Sequence, residues 1–330
     1  MPKVSVILPV FNGEQHIGAA VQSILDQSHK DFILNIIDDG STDNTIRVLE
    51  KFDDKRIKIT QNKQNIGLID TLNKGLKLSS DSKFIARMDA DDISVPKRLE
   101  LQTNFLELNT NIDILGGASK YFGNSSKTRV KYQPSENAQI ISAFLCQNSI
   151  SHPTVMAKCE AFSQVIYDKN YPKYEDYALW INLINTCQFH NLSSVLLWYR
   201  RHNNNITNTY NEDHQNDFRL FSNIIKLLDN KLGCNFTETE ILVISTITGR
   251  SRYDLHPNLE VNHIHDVLLG VLKKMTIERI DTKFLWTLLL GKVLKYLIYR
   301  KRFKDIFLFI NLTKIHADVW RILKLQYSGK

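Results

Sequence analysis

The first hundred residues alternate between two periods, and this alternation limits the fold more sharply than anything else in the chain. KVSVILPV reads as a buried strand, after which GEQHIGAAVQSILDQS spaces Ile17, Ala20, Val21, Ile24 and Leu25 at helical intervals. DFILNIIDDG returns to a β-branched run, and STDNTIRVLEKF opens with cap-type residues and places Ile46, Leu49 and Phe52 on one helical face. RIKITQN, the helical IDTLNKGLKLS and the strand-like KFIARMDAD complete the series. Strands separated by helices of this length assemble as βαβ units. The expected fold class is therefore α/β: a doubly wound, mostly parallel, Rossmann-like sheet.

Beyond Asp92 the pattern loosens. A helix is expected near PKRLELQTNFLEL, a strand near IDILGGASKYFG, a Ser/Lys-rich loop around Asn124 to Lys127, strands at HPTVMAK and SVLLWYRRH, and between them a helix opening at YEDYALWINLI. From about Asn211 nearly everything is helical in period, without a solenoid repeat. The expected organisation is one domain in two halves, residues 1–110 and 111–225, followed by a basic helical region over 226–330.

Composition excludes several classes. Hydrophobic residues at 43% and charged residues at 23% give the balance of a globular chain, not a disordered or fibrous one. Cys146, Cys159, Cys187 and Cys234 form neither a CxxC pair nor a Cys/His zinc pattern, which points to a reducing compartment. MPKVSVILPVFNG runs directly into a strand and lacks the apolar stretch and cleavage site of a signal peptide. Lys283 and Lys292 bracket the greasiest run, FLWTLLLG, which is too short to cross a bilayer. A cytoplasmic protein is expected, with peripheral attachment to the inner face of the cytoplasmic membrane as an open alternative. From Lys273 to Lys330 there are 14 Lys/Arg and 4 Asp/Glu, so against a whole-chain net of +7 the basic character belongs to this tail and the rest is slightly acidic.

In an open α/β sheet ligands bind outside the carboxyl ends of the strands, and three such ends are polar here. They are Pro9-Val10-Phe11-Asn12-Gly13, Asp38-Asp39-Gly40-Ser41 and Asp89-Ala90-Asp91-Asp92. On an extended chain Asp89 and Asp91 share a face while Ala90 and Asp92 point away. Two such carboxylates suit Mg2+ or Mn2+, which complete an octahedron with water and phosphate oxygens; a solvated acidic turn is the plain alternative. A carboxylate of Asp38 or Asp39 is an acceptor suited to the N3–H of uracil, or else it makes the turn and caps the next helix. Glu175 and Asp176 open a helix, where acids are also favoured by the backbone dipole. Neighbours on a helix point about 100° apart, so only one of them can meet a given reacting atom. Trp180, four residues after Asp176, is expected to pack into the core.

Taken together, PVFNG, IIDDGSTDNT, NIGL with LNKGL, RMDADD, HPTVM, YEDYALW and YRRHNNNIT resemble the family-two glycosyltransferases of the GT-A fold, in order and spacing, over about residues 3–207. The resemblance implies that Pro9, Val10, Phe11 and Asn12 line the nucleotide and that Asp39, beside Asp38, meets the base. It further implies that Asn65, Gly67 and Ala90 belong to the donor site, that Asp89 and Asp91 bind Mn2+ or Mg2+, and that His202 approaches the metal or diphosphate. By the same resemblance Asp176 is expected to be the catalytic base, with Glu175 in support. Relatives often carry Arg at the position of Leu72, so this chain departs from the pattern there. The implied reaction is inverting transfer of a sugar from a nucleotide-sugar donor, most commonly a UDP-sugar, to a saccharide or lipid-linked acceptor, in lipopolysaccharide, O-antigen or capsule synthesis. A nucleotidyltransferase is the competing enzyme, but PVFNGEQHIG has no P-loop pattern. A non-enzymatic membrane- or nucleic-acid-binding module would rest on the basic tail alone. No nucleic-acid partner is expected, and the tail helices either lie on a membrane surface or simply pack.

Overall fold

The computed structural model describes residues 3–123, 129–163, 165–202, 213–249, 253–256 and 259–313. The loop around Asn124 to Lys127 and the NNNIT part of the YRRHNNNIT motif lie outside the described residues.

The alternating start of the chain folds as its periods predict. Strands β1 (Val4–Val10), β2 (Phe32–Asp38), β3 (Ile57–Gln61) and β4 (Phe84–Arg87) alternate with helices α1 (Ile17–Leu25), α2 (Thr45–Leu49) and α3 (Leu68–Leu78). The four strands are all parallel, in the order β3-β2-β1-β4. All seven residues of β1 are buried, as a parallel strand covered on both faces requires. Helix α1 buries Ile17, Ala20, Val21 and Ile24, the stripe its spacing marked. Helix α2 is shorter than its pattern: the chain leaves it after Leu49 and turns at Asp54, which holds the Arg56 guanidinium at 2.6 Å.

The looser region extends the same sheet with mixed pairing. It contains β5 (Ile93–Ser94), α4 (Arg98–Leu108), β6 (Ile114–Gly123), β7 (Val130–Lys131), α5 (Asn137–Ala143), β8 (Met156–Lys158), α6 (Glu175–Leu183) and β9 (Phe189–Arg201). The sheet continues β4-β8-β6-β9-β5, with β7 beside β6. β8 runs antiparallel to both β4 and β6, β5 antiparallel to β9, and β6 and β9 pair in parallel. HPTVMAK, expected as one strand, splits into a 3-10 turn at His152–Thr154 and the three residues of β8. Pro153 cannot donate to a ladder, so pairing begins only after it.

The remaining helices are α7 (His214–Leu232), α8 (Glu238–Ile247), α9 (Val261–Lys274), α10 (Thr282–Tyr299) and α11 (Phe303–Thr313). Their ends are capped by sequence. The Asp213 and Asp281 side chains accept from Asn216 and Phe284, Thr237 and Glu240 form a reciprocal capping box, and Gly233 closes α7 in the left-handed conformation. Among the described residues no helix is long and apolar enough to cross a membrane. The chain divides into two compact units, one of residues 1–136 and 150–202, the other of 137–149 and 203–330. Helix α5 thus belongs with the C-terminal helices, a discontinuity that chain order alone did not signal.

Candidate active site

The ends of β1, β2 and β4 are neighbours because the three strands are adjacent in the sheet. The first two loops are stitched together. The Asn12 N–H donates to Ser41 Oγ at 2.8 Å, the Thr42 N–H donates to Asn12 Oδ1 at 2.8 Å, and the Gly13 N–H donates to Thr45 Oγ1 at 2.8 Å. Pro9 and Val10 are buried under this junction, while Phe11 is 47% exposed and Asn12 holds a left-handed φ of 50°.

Asp39 is buried and engaged. It accepts from Asn62 Nδ2 at 2.8 Å, from the Ile66 N–H at 2.9 Å and from the Gly67 N–H at 2.9 Å, and so binds the NIGL loop to the end of β2. A carboxylate has about four acceptor sites, which leaves Asp39 room for one further donor. Asp38 accepts from the Ser41 N–H at 3.2 Å, and its buried Oδ1 has no hydrogen-bond partner among the described residues. Asn65 Oδ1 also accepts from Gly67, whose φ of 91° and open Cβ direction suit a glycine facing space. Leu72 is buried and lines a small cavity with Arg87, Tyr167 and Trp180.

At the third strand end the structure corrects one expectation. β4 stops at Arg87 and residues 89–92 form a turn, so the alternation that would have aimed Asp92 away does not apply. Asp92 joins Asp89 and Asp91 instead, and one oxygen of each lies within 4.8 Å of the others. Asp92 is fully buried; its Oδ1 accepts from the Arg200 N–H at 2.8 Å, and its Oδ2 has no partner among the described residues. Arg200 returns the contact from β9, its Nε donating to the Asp91 carbonyl at 2.7 Å. Two residues on, His202 Nε2 lies 2.9 Å from Asp91 Oδ2, so the expected meeting of His202 with the acidic turn is present. Burial raises the pKa of Asp91 and of Asp92, and the neighbouring Asp89 charge raises both further. Three crowded carboxylates, one with an orphaned buried oxygen, fit a divalent cation of the Mg2+ or Mn2+ class.

Two residues of this cluster escaped sequence reasoning. Arg87 is buried at the end of β4 and ion-paired with Asp89; burial alone would lower its pKa, but the Asp89 charge outweighs that and holds the guanidinium charged. A lone charge inside the apolar run FIARM was the available signal. His16, just before α1, packs its ring 5.4 Å from that of His202, and no spacing rule connects residues so far apart in the chain. Arg98 anchors the region from α4, its Nη2 donating to the Arg87 carbonyl at 2.7 Å.

Glu175 and Asp176 occupy the first turn of α6. Burial pushes the Glu175 carboxyl up to about 7, with the Asp176 charge adding to it, and Arg87 and Asp89 are close enough to act on it as well. The acidic pair and the carboxylate turn thus share one electrostatic site. Tyr167, whose hydroxyl is 2.8 Å from His152 Nε2, feels Arg87, Asp176, Glu175 and Asp89. Burial holds His152 neutral by lowering its pKa, and Trp180 is fully buried as core.

The family model described as Glycosyl transferase family 2 matches residues 5–169. An uncharacterized glycosyltransferase of Haemophilus influenzae is 32% identical over 291 residues, 83% of this chain and 85% of that protein. The Escherichia coli UDP-Glc:alpha-D-GlcNAc-diphosphoundecaprenol beta-1,3-glucosyltransferase WfgD is 31% identical over 191 residues, 55% of this chain and 69% of its own. S. aureus TarS in complex with UDP-GlcNAc shares the fold with a TM-score of 0.60 at 18% identity, covering 90% of this chain and 89% of that one. The mannosyltransferase PcManGT from Pyrobaculum calidifontis, in complex with GDP-Man and Mn2+, does so with a TM-score of 0.52 at 13% identity, covering 91% and 86%.

Proposed function

The chain belongs to glycosyl transferase family 2 and is a glycosyltransferase, and we propose that it moves a sugar from a UDP-sugar to a lipid-linked saccharide with inversion at the anomeric carbon. The observation that carries this reading is the carboxylate turn Asp89-Ala90-Asp91-Asp92 gathered beside His202, with the Glu175–Asp176 pair acting on the same site. UDP as carrier is supported by the TarS complex, and a diphospholipid acceptor by the reaction in the name of WfgD. Assembly of a surface polysaccharide is the corresponding role.

Asp89, Asp91 and His202 would hold a Mn2+ or Mg2+ ion, which supplies positive charge to the departing diphosphate. Phe11 offers its exposed ring to the nucleobase, and the remaining acceptor site of Asp39 takes the base N–H. Pro9, Val10, Asn12, Asp38, Asn65, Gly67 and Ala90 shape the same pocket. Arg87 holds Asp89 in place through their ion pair. Asp176 receives the proton of the acceptor hydroxyl as it attacks from the face opposite the leaving group, and Glu175 supports it. Work at the inner face of the cytoplasmic membrane would follow from such an acceptor.

The test is calorimetric titration of UDP into the full-length protein with Mn2+, with Mg2+ and with excess chelator. Binding should require the ion and should weaken at least about tenfold in Asp91→Ala. Equal affinity in chelator, or an unaffected Asp91→Ala, would remove the metal from the mechanism.

A further inference from the structure

The strand β7, added to the edge of β6, brings together residues of one sheet face. Ser119 pairs with Lys131, and the Tyr121 N–H donates to the Arg129 carbonyl at 2.8 Å. On the other side of β6, Tyr121 pairs with Tyr199 and Gly123 with Arg201. Side chains alternate across a strand, so Arg129 just before β7, Lys131 of β7, Tyr121 of β6, and Tyr199 and Arg201 of β9 all project from the same face. The Arg201 guanidinium lies 4.9 Å from the Tyr121 ring centre, which confirms the sharing of that face.

Three cations therefore crowd one small area, where like charges facing one another across strands are unfavourable unless something offsets them. Desolvation lowers the pKa of the Lys131 ammonium, Arg129 and Arg201 lower it further, and the carboxylate opposing them is Asp176. Asp92 lies close enough to act on Tyr121, so the cationic face adjoins the metal-type turn as well. Among the described residues Asp176 is the carboxylate that acts on Lys131, and Arg129, Lys131 and Arg201 outnumber it beside the residue read above as the acceptor's base.

We infer that Arg129, Lys131 and Arg201 form an anion subsite for the acceptor, taking a phosphate or diphosphate carried by the sugar that Asp176 activates. Guanidinium groups in pairs suit such an anion because each presents a planar fork of donors, and Lys131 adds a point charge. Tyr121 offers a ring and hydroxyl next to them, suited to the sugar rather than to the anion. The inference rests on the proposed role of Asp176, and it names the residues that would take the acceptor's phosphate. The phosphate could come from a lipid diphosphate or from a free phosphate compound.

The experiment titrates farnesyl diphosphate, inorganic pyrophosphate and neutral octyl glucoside into the full-length protein saturated with UDP and Mn2+, which occupies the donor site. Farnesyl diphosphate should bind the UDP-loaded protein. Arg129→Gln, Lys131→Gln and Arg201→Gln should each weaken it about tenfold or more, with binding of the neutral glycoside unmoved. Melting midpoints report on folding of the variants. Pyrophosphate binding as tightly as farnesyl diphosphate, and with the same losses, would assign the site to the phosphate group itself; tighter farnesyl diphosphate would assign it to a lipid carrier. No binding of either diphosphate, or equal affinity in parent and variants, would overturn the subsite. Failure of UDP to bind with metal would count against the donor reading instead, and the same titrations on the unloaded protein would still decide the anion subsite.

Discussion

Glu175 and Asp176 are adjacent carboxylates with different surroundings, and the difference separates their roles. Asp176 Oδ1 accepts from the Tyr177 N–H at 2.7 Å, and its charge acts on Lys131 of β7. Asp176→Asn should lower kcat by about 10²–10⁴-fold with little change in the calorimetric UDP affinity, the separation expected when acceptor activation is lost and donor binding is kept. A kcat near that of the parent would move the base elsewhere. Glu175 is raised from an ordinary 4.5 to about 7 by burial and by the charge of Asp176. An acid whose folded pKa exceeds its unfolded value binds its proton more tightly when folded, so the stability it confers is complete below about pH 4.5 and is lost as pH rises through 7. Glu175→Gln should therefore stabilise the metal-free protein at pH 8 by about 1–3 kcal/mol and do little at pH 4.5. Chemical denaturation in chelator at the two pH values checks this, and equal shifts at both would refute it.

Among the elements, α11 is the helix with an unusual outer surface. Phe309 is buried, and the helix packs on α9 and α10, yet Phe303 is 60% exposed and Phe307 72%, with Lys301 and Lys304 exposed beside them. Aromatics flanked by lysines suit the interface of an anionic membrane, where each basic residue contributes about 1 kcal/mol. The full-length protein should co-sediment with anionic vesicles less strongly as salt rises. The double substitution Phe303→Ser, Phe307→Ser should weaken that binding about fivefold or more while leaving the buried Phe309 in place. Unchanged sedimentation would leave α11 as a packing helix only. Cutting the chain near Asn230 is a poor version of this test, because it would remove helices whose residues Ile244, Leu268, Leu289 and Val293 are fully buried. Helix α8 depends on its start in a simpler way: the Thr237 side chain accepts from the Glu240 N–H at 3.2 Å, and Glu240 answers to the Thr237 N–H at 2.6 Å. Thr237→Ala should cost about 1 kcal/mol in denaturant unfolding, and no loss would show that packing alone sets this end.

Over the whole molecule, local rules and long-range ones divide the result between them. The parallel strands β1 to β4, the stripe of α1, and the polar ends at Asn12, Asp39 and Asp89 to Asp91 follow from periodicity and from short runs of neighbouring residues, so the sequence by itself determined the α/β class, the family and the region of the site. Such features were legible because each depends on interactions within a few residues. Inclusion of Asp92 in the acidic cluster needed the chain to turn after Arg87 and β9 to supply the Arg200 N–H, a partner 108 residues away. His16 against His202, and Lys131 beside Asp176, arise likewise from strand order and register. Helix α5 joined the C-terminal unit against chain order. Only the tertiary structure decided these, because burial and electrostatic coupling depend on distance in space, and distance along the chain does not fix it.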